Sequence, residues 1–212
     1  MPDCGNCAVY VCRLGETERV PKNCPMEDYE RVNTRKEFQD PEINRIVRAA
    51  ALTESQGYMR WTRVEETMEF SRKMGFTKIG LAFCMGLRSE AKIMTKVLET
   101  NGFEVASIMC KTGGLAKEDM GLRDEDKVHP GSFEAACNPI AQAYQLNDAG
   151  TELNLIMGLC VGHDAVFTRF SKALVTTLIA KDRVLGHNPV AALYCSNMYY
   201  HDPLFKKHVQ AQ

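Results

Sequence analysis

From residue 78 onward, short and densely apolar runs alternate with longer stretches in which apolar positions recur every three or four residues. Lys78-Ile-Gly-Leu-Ala-Phe-Cys84, Phe103-Glu-Val-Ala-Ser-Ile-Met-Cys110 and Leu153-Asn-Leu-Ile-Met-Gly-Leu-Cys160 are the dense runs. Their length and near-continuous apolarity predict strands buried on both faces. Between them, Ser89 to Thr100, closed by Asn101-Gly102, and Pro139 to Asn147 carry helical spacing, and Phe167 to Ser171 reads as a short helix. Val175 to Ala180 and Val190 to Tyr194 are expected as two further strands, joined through Asp182 to Asn188.

Upstream of the first strand the period is helical. Pro41 fits the first helical position behind Asp40 as N-cap, with Ile43, Ile46, Val47, Ala50 and Ala51 on one face. A second helix is expected from Thr62 to Met74, stopped by Gly75. Strands alternating with helices predict an α/β fold of three layers, a mostly parallel sheet with helices on both faces. Residues 1–30 differ: they are short and irregular, with Gly5, Gly15, Pro21 and Pro25, and show no clear period. The expected division is a cysteine-rich metal-binding segment over 1–30 and an α/β domain over 31–212 that includes the N-terminal helices.

Composition changes the picture mainly through cysteine. With 212 residues, 45% of them hydrophobic and 25% charged, the chain has an ordinary globular make-up and can bury a core. A net charge of −1 gives no reason to expect nucleic acid or an anionic membrane as partner. No run is long and apolar enough to span a bilayer, and the N-terminus lacks a signal peptide's basic and apolar segments. The expectation is a cytoplasmic protein, with the oligomeric state left open. Nine cysteines in a reducing compartment are poor candidates for structural disulfides.

Four of the nine fall in the first 24 residues, where little core exists. Cys4, Cys7, Cys12 and Cys24 have the spacing C-x2-C-x4-C-x11-C, with Pro25 after the last. The C-x2-C pair sets two thiolates on one tight turn, and two more complete a tetrahedral metal set that would fold a segment too small to fold alone. The same four sulfurs suit an iron–sulfur cubane, which a closing Cys-Pro also favours. Zinc is the alternative at this site.

A second group sits at strand ends. Cys84, Cys110, Cys160 and Cys195 each close an apolar run, so parallel strands would line their thiols along one carboxyl edge, where open α/β sheets bind ligands. Cys137, just ahead of a predicted helix, could add a sulfur whose thiolate the helix dipole favours. Cys84, Cys137 and Cys160 are the leading ligands of this second site, with Cys110 as fourth candidate. In Gly158-Leu-Cys-Val-Gly-His-Asp164, His163 stands three residues after Cys160, placed to ligate metal or move a proton. Asp164 either orients that imidazole or caps a helix. Gly86 and Arg88, after the first strand, could receive an anion. His163 and Arg88 are therefore the candidate catalytic residues.

The N-terminal cysteines, Cys84, Cys137-Asn-Pro, Gly158-Leu-Cys-Val-Gly-His-Asp, Lys181-Asp-Arg and His187-Asn-Pro together resemble an uncharacterised family of small cysteine-rich proteins, mainly from anaerobic bacteria and archaea and usually labelled metal-binding. The resemblance covers essentially the whole chain and implies no defined reaction. An anaerobic host would favour 4Fe-4S clusters over zinc. The expected function is a cytoplasmic iron–sulfur protein with two cysteine sites, redox-active or sulfur-handling, served by an electron donor or a small sulfur-containing ligand. A zinc-binding metal-handling module, or a zinc-stabilised thiol enzyme, is the alternative.

Overall fold

The computed structural model describes residues 1–16 and 18–206, and the chain divides into two compact units, Met1–Tyr58 and Met59–Gln212. The first unit holds α1 (Val11–Leu14), α2 (Tyr29–Val32) and α3 (Pro41–Gly57). Helix α3 starts as its sequence dictates: Asp40 Oδ1 accepts from the Glu42 and Ile43 amides, both at 3.0 Å, behind Pro41 at the first position. Its buried stripe is another matter. Ala49, Thr53 and Gly57 are buried, while Ile43, Val47, Ala50 and Ala51 from the expected face are exposed. Small residues four apart form the inward row, so hydrophobicity points to the wrong side.

In the second unit, α4 (Arg63–Lys73) begins with a reciprocal cap: the Thr62 amide donates to Glu65 at 2.7 Å and the Glu65 amide donates to the Thr62 hydroxyl at 3.4 Å. There follow β1 (Lys78–Phe83), α5 (Arg88–Thr100), β2 (Glu104–Met109), α6 (Pro139–Asp148), β3 (Leu153–Met157), α7 (His163–Phe170), β4 (Leu174–Ile179), α8 (Val190–Tyr194) and α9 (His201–Phe205). The strands form one parallel sheet in the order β2-β1-β3-β4, with Lys78 opposite Glu104 and Ile79 opposite Leu153. The three-layer α/β architecture is as expected.

Period two along the strands sorts the core into two faces. Odd-numbered Ile79, Leu81, Leu153, Leu155 and Met157 pack with Met68 of α4 and Ala91, Met94 and Leu98 of α5. Even-numbered Ala82 and Ile156 pack with Ala143 and Leu146 of α6 and Phe167 of α7. The chain leaves β1 for β2 in one direction and returns past β1 for β3 and β4, so its direction reverses between β1 and β3.

The expected strand at Val190–Tyr194 is α8 instead, with the Cys195 amide donating to the Ala191 carbonyl at 3.1 Å. A five-residue apolar run fits either structure by periodicity. Pro189 before it and the Ala191-Ala192 pair decide for helix. Cys195 therefore caps a helix and ends no strand, which removes it from the sheet-edge series.

Residues 111–138 cross from β2 to α6 as a long connection held by ion pairs. Lys127, with a side chain only 4% exposed, reaches Glu118 at 2.5 Å, Asp124 at 2.8 Å and the Ser132 carbonyl at 2.8 Å. Lys117 pairs with Glu134 at 2.7 Å beside a bridge between Ala116 and Ala135. Replacing Lys127 with methionine leaves two carboxylates facing each other without their cation. The expected result of limited proteolysis is several-fold faster cleavage within 111–138, with the sheet protected from hydrogen exchange as before. Among the described residues no helix is long and apolar enough to cross a membrane.

Candidate functional site: thiols at the sheet edge

The even-numbered rows that face α6 and α7 run off the carboxyl ends of their strands into cysteine. Cys84 follows Ala82 of β1, Cys110 follows Ala106 and Ile108 of β2, and both pack against the Ala143, Leu146 and Phe167 cluster. Cys137 joins the same cluster from the start of α6. Its neighbour Asn138 donates through its amide to the Cys110 carbonyl at 2.7 Å and accepts from the Ala141 amide at 3.0 Å, so one residue ties the loop to β2 and caps the helix. Cys160 lies three residues past β3, beyond a turn at Gly158 whose φ is +65°. Its carbonyl accepts from the His163 and Asp164 amides at 2.9 and 3.2 Å, opening α7.

Gly158 is required twice. Its positive φ disfavours other residues, and a Cβ there would stand 2.1 Å from Leu87 Cδ1. Gly158→Ala is expected to cost about 2–4 kcal/mol of stability, read from denaturant unfolding, by strain plus overpacking.

Three cations and a backbone amide face the sulfurs. Lys181 Nζ donates to Cys84 Sγ at 3.0 Å, Arg183 Nη2 to Cys160 Sγ at 3.1 Å, and the Met85 amide to Cys110 Sγ at 3.3 Å. Lys111 and His163 are both close enough to act on Cys137, and Lys111 Nζ donates to the Ala135 carbonyl at 2.5 Å. The Cys110 thiol neighbours both Cys84 and Cys137 and acts on each. That position sets the protonation pattern. The neighbouring Cys110, aided by Lys181, holds the Cys84 thiol far below its ordinary value, at about 4, against the opposing effect of burial. Cys137 falls to about 5, again first through Cys110, then through Lys111 and His163. Cys110 is pushed up by its two thiolate neighbours and by burial. The three thiols therefore titrate as one interacting set, whose first protons leave more readily than that of an isolated thiol.

A lowered folded value keeps the thiolate populated as pH falls from the ordinary thiol range toward that value. In metal-depleted protein, alkylation of Cys84 by iodoacetamide is expected to be nearly flat from about pH 8 to about pH 6, where an ordinary thiol slows roughly tenfold per unit. Peptide mass spectrometry of Cys84 against an added cysteine-containing peptide makes the comparison within one sample.

The cations arrive on one strap. In Lys181-Asp182-Arg183 alternate residues share a side, and both cations reach thiols while Asp182 turns inward to its own loop. Asp182 Oδ1 accepts from the Val184 and Leu185 amides at 2.9 and 2.8 Å. The Asp182 amide donates to His187 Nδ1 at 3.0 Å, and the His187 amide donates back to the Asp182 carbonyl at 2.8 Å. His187→Ala is expected to loosen the strap and speed hydrogen exchange at residues 182–187, leaving the sheet amides unchanged.

Of the candidate catalytic residues, His163 begins α7, and its Nδ1 is buried without a hydrogen-bond partner. Asp164 does not orient that ring: its Oδ1 accepts from the Gly162 and Ala165 amides and caps the helix. Arg88 is exposed at the start of α5, on the face opposite α6 and α7. In the first unit, Cys4, Cys7 and Cys24 line one cavity of about 260 Å3 with Pro21, Lys22 and Asn23, and Cys12 is not among its lining residues. The Cys7 amide donates to the Cys4 carbonyl at 3.2 Å, closing the C-x2-C turn. Among the described residues no three His, Cys, Asp or Glu side chains gather around a point that could hold one metal ion. Lys111 is the site residue that sequence reasoning passed over; its signal was its position directly after Cys110, at the end of an apolar run.

Fold and site together define a parallel α/β protein with a polythiol centre at the reversal point of its sheet. Residues 23–178 match the family described as Protein of unknown function (DUF1847), and the chain belongs to it. The matched span includes Cys24, Cys84, Cys110, Cys137 and Cys160. An uncharacterised protein of the archaeon Methanocaldococcus jannaschii is 42% identical over 191 residues, covering 90% of this chain and 93% of the relative. The resemblance read from the sequence is thereby shown as membership of a family of unknown function with an archaeal relative.

Proposed function

We propose that the sheet-edge cysteines hold an iron–sulfur cluster, of 4Fe-4S type, and that the protein is a redox or sulfur-handling protein built around it. The observation that carries this reading is the convergence of Cys84, Cys110, Cys137 and Cys160 from three connections, those after β1, β2 and β3, onto one edge, with cations and an amide directed at their sulfurs. The donor set is all thiol, the ligand type that iron–sulfur clusters take. Among the described residues no three such side chains gather around one point, which suits ligands spread over several irons better than ligands ringed around one ion. Hydrogen bonds to the sulfurs from Lys181, Arg183 and Met85 would raise the reduction potential by stabilising the added electron. Such a cluster supplies electron transfer or, with one iron open, Lewis acidity.

The N-terminal quartet would hold a second cluster or a structural zinc, with Cys4, Cys7 and Cys24 around the small cavity. A second reading is favoured by one observation: Cys84, with Lys181 at 3.0 Å, is a thiolate at neutral pH and would serve as the nucleophile of a thiol enzyme. Dithionite separates the readings. Anaerobically purified protein is expected to show broad visible absorption that bleaches on reduction, and a spectrum without visible bands would leave the thiol enzyme.

A further inference from the structure

We infer that the edge between β1 and β3 binds a small carboxylate, gripped by Lys181 and Arg183. The inference rests on the reading of this edge as the functional thiol site, and adds the class of its ligand. Lys181 and Arg183 stand on the same side of one strap, Lys181 at the thiol beyond β1 and Arg183 at the thiol beyond β3. They therefore bracket the place where the direction of the sheet reverses, the position at which open α/β sheets take their ligands.

Most of the donor capacity of the pair is unspent. Lys181 has three N–H donors and uses one on Cys84; Arg183 has five and uses one nitrogen, Nη2, on Cys160. Sulfur is their partner on the protein: among the described residues no carboxylate pairs with Lys111, Lys181 or Arg183, whereas in the neighbouring loop Lys117 has one and Lys127 two. Cations that hold donors in reserve and carry no carboxylate of the chain are arranged to take one from a ligand. A carboxylate suits a point charge beside a planar fork, since it accepts two parallel bonds from guanidinium and one from ammonium. Gly86 adjoins the first of the two cations: a Cβ there would stand 3.5 Å from Lys181 Nζ and 3.8 Å from Cys84 Sγ.

The test is saturation-transfer NMR on the full chain as purified without oxygen, with propionate as probe and propionamide as its neutral isostere. Iron and acid-labile sulfide are assayed on the same sample. Propionate is expected to receive saturation and propionamide not, with affinity for propionate falling about tenfold or more in Lys181→Gln and in Arg183→Gln. Circular dichroism of the variants checks their fold, and the comparison of propionate with propionamide in the unaltered protein needs no variant. Equal binding of the amide, or binding unchanged in both folded variants, would overturn the inference. Sulfate competing as well as propionate at matched ionic strength would overturn the carboxylate class in favour of an inorganic oxyanion. Carboxylate binding without iron or sulfide would uphold this inference and defeat the cluster reading; iron and sulfide without carboxylate binding would do the reverse.

Discussion

Serine in place of Cys84 is expected to remove one cluster's share of iron and sulfide, roughly half the total in a protein with two clusters. The hydroxyl is nearly the size of the thiol, so packing against Ala82 and α6 survives. What is lost is the soft, polarisable ligand, which a hard oxygen replaces poorly. Cys84 is the informative position because two groups act on it: Lys181 donates to its sulfur at 3.0 Å, and Cys110 is its neighbour. Cys110→Ser and Cys160→Ser are expected to act alike, while Cys195→Ser, on a helix cap outside the edge, leaves the metal content unchanged. Loss of Lys181 touches the cluster only through the sulfur, and Lys181→Met is expected to weaken retention by about 10- to 100-fold without abolishing it. A thiol enzyme gives the opposite pattern: Cys84→Ser then keeps all its metal and loses only its alkylation.

The largest effect on stability is expected at Gly80. It lies mid-strand in β1, where an added Cβ would meet Asn154 Oδ1 at 2.0 Å and Leu146 Cδ1 at 3.1 Å. Asn154 cannot yield cheaply. It is fully buried, its Oδ1 accepts from Thr151 at 2.8 Å, and its Nδ2 donates to Ser171 at 2.8 Å. The Ser171 hydroxyl in turn donates to the Ala173 carbonyl at 2.9 Å, at the approach to β4. One methyl group therefore overpacks the α6 face and breaks a buried polar chain that links β3 to the connections before it and before β4. Gly80→Ala is expected to cost about 3–5 kcal/mol, combining overpacking with stranded buried polar atoms. In thermal unfolding this is a fall of roughly 10 °C or more. The same substitution in an Asn154→Ala background is expected to cost clearly less, because the clashing oxygen is gone. Equal costs in both backgrounds would show that Leu146, not Asn154, sets the penalty.

Much of this was legible in the sequence because it depends on local rules. Dense apolar runs marked β1, β2, β3 and β4, and Asp40-Pro41 and Thr62-Arg-Val-Glu65 marked helix starts through their caps. Even the convergence of the thiols was readable, since Cys84 and Cys110 share the parity of Ala82 and Ile108 and so continue the row facing α6. What escaped was whatever depends on chain folded back from afar. Lys181 and Arg183 entered only as part of the resemblance, with no role at the sulfurs, because only the Asp182–His187 clasp delivers them there. Val190–Tyr194 was ambiguous because five apolar residues carry no period of their own. The buried stripe of α3 escaped for a different reason: Ala49, Thr53 and Gly57 are small, and their spacing is invisible to hydrophobicity.

The most direct test of the central claim is elemental analysis of the protein made and purified without oxygen. Iron and acid-labile sulfide are expected in equal amounts, together several atoms per chain, with Cys84→Ser losing both in step. Protein carrying one zinc per chain, no sulfide, and the same metal content in Cys84→Ser would contradict a cluster at the sheet edge.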